Sequence, residues 1–318
     1  MTTFKEIRGT AIRSVSSDPT SPEEGQIWYN NTIGVLKGNQ LVAAVWASGG
    51  NLNTGRRYLA GAGTQTAAVG FGGGIPAAQA ATEKYNGTSW TTSGNLGTGR
   101  KALGGAGTQT AALAFGGFVS GTAYVATTEE FDGSTWGPGG NLGTARGYLA
   151  GAGTQTAGLA IGGSLPGNTN VTEEYDGSAW TAGGNLATSR RYLAGCGLQT
   201  AGLAIGGYIT TGTNVTEEYD GSAWTAGGNL NTARYALAGA GTQTAALGFG
   251  GNGGNTLTEI YDGSAWTVST PMTVGKIYLA GCGTQTAALA FGGQPPSAAT
   301  ATEEFTGAFL STKKITTS

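Results

Sequence analysis

The sequence predicts an all-β chain, a six-bladed β-propeller of four-stranded antiparallel blades. Three observations carry that expectation. The string TEEYDGSAWTAGGNL stands at Thr172–Leu186 and again at Thr216–Leu230. Tryptophans recur as Trp46, Trp90, Trp136, Trp180, Trp224 and Trp266, which sets units of 42 to 46 residues. Each unit also carries a YLAGAGTQTAALAFGG-like run ending in Gly-Gly at 72–73, 116–117, 162–163, 206–207, 250–251 and 292–293. A fixed period of this size marks arrays whose units bury their faces only against their neighbours.

The turns divide each unit into strands. YLAGAG and TAALAF are short runs separated by Thr-Gln, and TEEY and SAWTA are separated by Asp-Gly, a strong hairpin signal. Four antiparallel strands per unit follow. Runs such as TAALAF are apolar on both faces, so both faces of each sheet need cover, and a ring of blades supplies it without leaving a long edge open. The glycine- and alanine-rich YLAGAG strand suits the crowded axis. The six tryptophans suit the outer strand, where diverging blades need volume. The last unit reaches TATEEFTG and then lacks its tryptophan strand, while an extra one stands near the other end around Trp46. The expectation is a ring closed by the N-terminal strand at Trp46, which completes the blade of residues 277–306.

Residues 1–25 lie outside the repeat. Phe4, Ile7, Ile12 and Val15 are irregularly spaced, and SVSSDPTSPEEG at 14–25 has the composition of an exposed linker, so an extended N-terminal arm is expected. QIWYNNTIGVLKG alternates apolar and polar residues around Asn-Asn, which predicts a hairpin over 26–40. The propeller is then expected over 41–318.

Composition narrows the function classes. Only 11% of the 318 residues are charged and the net charge is −2, so no field attracts a polyanion, and nucleic acid is not an expected partner. The 61 glycines follow no Gly-X-Y period and sit at fixed repeat positions, which marks them as structural. No apolar run is long enough to insert into a membrane, and the start MTTFKEIRGTAIRS lacks the apolar core of a signal peptide, so no export signal is expected.

The chain has no histidine, which removes the commonest general base and metal ligand. Cys196 and Cys282 both replace the alanine of LAGAG and read as small apolar fillers. The Y-D-G-S-x-W string lacks the spacing of a sialidase Asp-box. A non-enzymatic protein with no metal and no cofactor is the expectation.

The repeated charges are expected to be structural. Each unit has one carboxylate in TEEY (Glu83, Glu129, Glu173, Glu217, Glu259, Glu303) and one cation in NLxTxR (Arg56, Arg100, Arg146, Arg190, Arg234, Lys276). Equal numbers of opposite charge point to ion pairs within or between blades. Asp132, Asp176, Asp220 and Asp262 could be calcium ligands, but Asp-Gly alone makes a tight turn, and Asn86 stands in the equivalent place.

All length variation falls between Gly-Gly and the next Thr-Glu: GIPAAQAA, FVSGTAYVAT, SLPGNTNV, YITTGTNV, NGGNTL and QPPSAATA. In an antiparallel meander these loops share a face with the GGNLNTAR-type connections. None contains a charge. Ile75, Phe118, Tyr124, Leu165, Tyr208, Thr210, Asn252, Asn255 and Gln294 are the candidate binding residues, since aromatic rings among hydroxyls and amides suit sugar surfaces or a flat protein partner. Loops that merely tolerate change are the alternative.

Gly-Gly after an apolar strand, then Tyr, Trp and an [N/P]-[L/M]-x-T-x-R segment resembles the kelch repeat, with PMTVGK at 271–276 nearest its wording. The regular GTQTAALAFGG core, TEEYDGSAW and the GQIWYNNTIGVLKG lead-in resemble repeat proteins of tailed marine phages, described as fibre or other virion components. The resemblance implies a tail fibre or similar appendage, assembled in the host cytoplasm and exposed on the particle. Residues 1–40 would dock to other virion proteins, and the propeller would attach to a host-surface glycan or protein. The alternatives are a kelch-type protein-interaction scaffold outside any virion, and a purely structural decoration protein.

Overall fold

The computed structural model describes residues 12–119, 123–294 and 299–315. Phe4 and Ile7 of the expected arm, and the middles of the loops at 120–122 and 295–298, lie outside the described residues. Every regular element described is a β-strand. The chain divides into two compact units, one running up to Ala44 and including the residues from Gly307 on, the other Val45–Thr306.

The larger unit holds six four-stranded antiparallel sheets, each a meander. The first consists of Ala60–Gly63, Ala68–Phe71, Thr82–Tyr85 and Trp90–Ser93. The next four begin at Gly104, Ala150, Ala194 and Ala238 and repeat that order. The sixth is assembled from both ends of the unit. Ala280–Gly283, Ala287–Phe291 and Thr302–Thr306 are joined by Val45–Ser48, with Trp46 opposite Phe305.

Two features of the sequence produce this packing. Second strands such as Ala68–Phe71 are buried along their whole length. First strands alternate small residues, and a Cβ on Gly61 would lie 2.4 Å from the Phe291 ring of the neighbouring sheet, so that position has no room for a side chain. The first strand of each sheet contacts that of the next, and the sixth contacts the first.

Bonds between sheets repeat in the same cyclic order. Each tryptophan indole donates to the threonine that opens the third strand of the preceding sheet: Trp136 to Thr82, Trp180 to Thr128, Trp224 to Thr172, Trp266 to Thr216, Trp46 to Thr258, and Trp90 back to Thr302, all at 2.9–3.0 Å. The glutamines of the GTQT turns do the same. Gln109 Nε2 donates to the Ala68 and Tyr85 carbonyls one sheet back, and Gln65 donates to those of Ala288 and Phe305. Apolar contact accompanies these bonds, with Leu159 and Ile161 of the third sheet packed with Ala204, Tyr219 and Trp224 of the fourth.

The smaller unit is one sheet in the order Arg13–Val15, Ile27–Asn30, Val35–Val42, Phe309–Lys314, its first pair parallel. Ile27–Asn30 and Val35–Val42 form a hairpin whose turn ends at Gly34 with φ 65°. The expected linker over 14–25 is tied down at Asp18, whose carboxylate accepts from the Trp28 indole at 3.0 Å and the Asn30 amide at 2.9 Å and pairs with Lys37. Those partners, the Asn30 amide foremost, lower the Asp18 pKa to about 2. Phe309–Lys314, expected with the repeats, pairs instead with Val35–Val42, bringing Leu310 opposite Leu41 and Phe309 opposite Val42.

Candidate binding face

The six ion pairs fix the connectors that lead to this face. Arg56 meets Glu83 at 2.9 Å, Arg100 meets Glu129 at 3.0 Å, and Arg146 meets Glu173 at 2.8 Å. Arg190 meets Glu217 at 3.2 Å, Arg234 meets Glu259 at 2.8 Å, and Lys276 meets Glu303 at 3.3 Å. Each pair joins the connector before a first strand to the third strand of the same sheet, and every cation is fully buried. The other carboxylate oxygen accepts a connector amide, as Glu83 does from Asn53 at 2.7 Å and Glu173 from Gly143 at 2.6 Å. Desolvation lowers the arginine and lysine pKa values, opposed by the partner carboxylates. These twelve residues are paired and buried inside their sheets and cannot reach a ligand.

Immediately after each buried cation the chain reaches the loops. Short bridges pair Arg57 with Gly74, Lys101 with Phe118, Gly147 with Ser164, Arg191 with Tyr208 and Ile277 with Gln294. In the fifth unit the Asn252 amide donates to the Tyr235 carbonyl at 3.0 Å. Variable loops and connectors therefore lie side by side. The loops are also joined to one another. Lys101 Nζ donates to the Pro76 carbonyl at 3.2 Å, Tyr124 and Ser164 share a hydroxyl contact of 2.9 Å, Asn168 donates to the Ile209 carbonyl at 2.8 Å, and Arg57 donates to Gln294.

The nine loop residues expected to bind divide by exposure. Ile75 and Thr210 are exposed. Tyr124, Leu165, Tyr208, Asn252, Asn255 and Gln294 are half-buried. Phe118 is only 7% exposed, packed on Tyr124 at 4.3 Å and Tyr148 at 4.7 Å between ring centroids. Its role is to support the other rings. Leu165 closes the hairpin Gly158–Leu165/Gly167–Tyr175, and Gln294 is occupied with Arg57.

At the centre stands a group that the loop comparison does not reveal. Tyr58, Ala102, Tyr148, Tyr192, Ala236 and Tyr278 occupy equivalent positions, all with φ between 54° and 59°. Left-handed backbone in non-glycine residues costs on the order of 1 kcal/mol each and persists only where the surroundings enforce it. Here a ring of backbone hydrogen bonds enforces it: Ala102 N–H to Tyr58 O, Tyr148 to Ala102, Tyr192 to Tyr148, Ala236 to Tyr192, Tyr278 to Ala236 and Tyr58 to Tyr278, at 2.7–3.0 Å. The four tyrosine rings pack together, with centroids 4.1 Å apart for Tyr58 and Tyr278 and 4.3 Å for Tyr148 and Tyr192. Burial raises the pKa of Tyr58, Tyr148 and Tyr192. Leu59, Leu103, Leu149, Leu193, Leu237 and Leu279 line the same shallow cavity of about 80 Å³. The recurrent Tyr-Leu-Ala-Gly was visible in the sequence as a strand start, but only the φ values and the ring contacts reveal a central aromatic cluster.

The opposite turns behave differently. Asp132, Asp176, Asp220 and Asp262 each accept N–H groups from the two residues past the following glycine, as Asp176 does from Ser178 and Ala179 at 2.8 Å. These bonds hold the carboxylates below their usual pKa range and account for Asp at those turns. Among the described residues no cluster of three or more His, Cys, Asp or Glu could hold a metal ion. No protein-family model matches the chain, and no curated protein matches it.

Proposed function

We propose that Val45–Thr306 is a closed six-bladed β-propeller of kelch-like type that acts as a non-enzymatic binding module through its loop face. The cyclic order of the tryptophan, glutamine and tyrosine-backbone bonds, each returning from the sixth sheet to the first, supports six blades and closure. One observation carries the functional reading. Strands and the opposite turns are nearly invariant from unit to unit, whereas length and side-chain variety concentrate in six adjoining loops that surround a tyrosine cluster. Aromatic rings with nearby amides and hydroxyls offer apolar faces and hydrogen bonds together, which is what a glycan surface requires.

The wider setting is part of the same proposal. The protein is a virion component of a tailed phage, a fibre or similar appendage, and the loop face attaches to a host-surface glycan or protein. The resemblance of GTQTAALAFGG, TEEYDGSAW and GQIWYNNTIGVLKG to phage repeat proteins supports it. The smaller unit docks to other virion proteins, a role supported by Tyr29, Ile33, Leu41, Phe309 and Leu310, large apolar residues exposed on that unit. The test is adsorption of particles carrying Tyr124→Ser, Tyr208→Ser and Tyr235→Ser together, with the melting curve as the folding control. Weakened adsorption with unchanged melting is expected; equal adsorption removes this face from attachment.

A further inference from the structure

The loop face has a charge character that neither its loops nor its tyrosines explain. The six loops and the six connectors contain no Asp or Glu. Beyond the six buried cations already paired, they contain Arg57, Lys101 and Arg191. Among the described residues none of these three forms an ion pair. The exposed Asp132, Asp176, Asp220 and Asp262 all sit on the opposite turns, so the two faces of this unit carry opposite charge.

The arginines are also held in place. Arg191 lies over two rings, 5.1 Å from the Tyr208 centroid and 5.5 Å from that of Tyr192. Arg57 lies 5.5 Å from the Tyr58 centroid and is steadied by Gln294. A guanidinium held over aromatic rings gains cation–π attraction, and its N–H groups match a carboxylate. The half-buried rings of the same face, Tyr124 and Tyr235 among them, add apolar surface for the C–H face of a sugar.

We propose that this face binds an acidic polysaccharide, with uronate-type carboxylates meeting Arg57 and Arg191 and the sugar rings lying on the loop tyrosines around them. The inference rests on the reading of the loop face as the attachment surface and specifies its ligand. A neutral glycan would leave the Arg191 guanidinium and the remaining N–H groups of Arg57 without a charged partner. An acidic peptide would satisfy the charge but make less use of the rings.

The experiment uses the full chain, its Arg57→Gln/Arg191→Gln variant and three probes: oligogalacturonate, the same oligosaccharide with its carboxylates reduced to alcohols, and polyglutamate. The expected result is binding to oligogalacturonate that is at least tenfold weaker for the variant, weakens with added salt through screening, and is absent for the reduced sugar, with equal melting of both proteins. Equal binding of acidic and reduced sugars, indifferent to the variant, overturns the charge assignment while leaving a glycan-binding face. Polyglutamate bound as tightly as oligogalacturonate overturns the assignment to a saccharide. Binding of neither sugar overturns the proposal, and particle adsorption then decides separately whether the face attaches at all.

Discussion

The Tyr85 hydroxyl donates to the Glu304 carboxylate at 2.6 Å across 219 residues of chain, from the first sheet to the sixth. The same bond joins Tyr175 to Glu130, Tyr219 to Glu174, and Tyr261 to Glu218. In the two remaining places the tyrosine is Phe131 or Phe305, and the glutamate of the preceding unit is replaced by Lys84 or Ile260. A carboxylate beside a ring without a hydroxyl would lose its donor, so both partners change together. Lys84 turns instead to the Gly133 carbonyl at 3.0 Å.

The first prediction follows from that pairing. Tyr85→Phe should destabilise the chain by about 1–2 kcal/mol, because Glu304 loses its donor and the Gly50 amide loses its acceptor. Adding Glu304→Ile reproduces the Phe305–Ile260 arrangement and should recover part of the loss. A double-mutant cycle by denaturant unfolding measures it, and purely additive effects would refute the coupling.

Much of the fold was legible because its signals are local and repeated. The Asp-Gly and Thr-Gln turns, the apolar second strands and the surplus tryptophan at Trp46 each report on strand order without any tertiary information. The Tyr–Glu relay was legible too, since Lys84 precedes Phe131 and Ile260 precedes Phe305 in the sequence, but it shows only when units are compared with their neighbours. The glutamines of the Thr-Gln turns bond the preceding sheet, as Gln155 does to the Ala112 and Phe131 carbonyls, which the turn signal alone does not show. Non-local contacts hid the rest. Nothing in the FVSGTAYVAT string says that Phe118 folds under Tyr124, or that Tyr148 from another unit covers it. The pairing of Phe309–Lys314 with Val35–Val42 was equally hidden, because neither segment repeats.

Alkaline stability gives the second prediction. Burial, followed by the bonds to their glutamates, pushes Tyr85, Tyr175, Tyr219 and Tyr261 up to about 12, and burial alone pushes Cys196 and Cys282 up to about 12. A folded pKa raised above the unfolded one means stability is complete below the unfolded value and lost as pH rises through the folded value. With unfolded values of about 8.5 for Cys and about 10 for Tyr, unfolding free energy should begin to fall near pH 9 and drop steeply between about 10 and 12. Urea midpoints across that range test it; a flat profile to pH 12 would contradict the assignment.

The third concerns the buried pairs. Arg146→Met leaves Glu173 uncompensated and should cost about 3–5 kcal/mol. Arg146→Lys should cost far less, because the sixth unit already uses Lys276 against Glu303. Equal losses for both substitutions, read from denaturation midpoints, would mean that shape rather than charge decides.

Both cysteines are free and buried, with Cys196 Sγ 3.9 Å from the Thr242 carbonyl and Cys282 Sγ 3.7 Å from that of Thr64. Replacing both with Ala, the residue of the other units, should change stability by less than about 1 kcal/mol. Thiol reagents should react only after unfolding. Rapid labelling of the native chain, or a melting point that falls in reductant, would contradict their role as fillers.

Binding through the loop face is tested most directly by radical footprinting of the chain bound to oligogalacturonate. Protection of Tyr124, Tyr208 and Tyr235 is expected, with labelling at the turns after Asp132, Asp176, Asp220 and Asp262 unchanged. Protection at those turns with the loop tyrosines still fully labelled would contradict it.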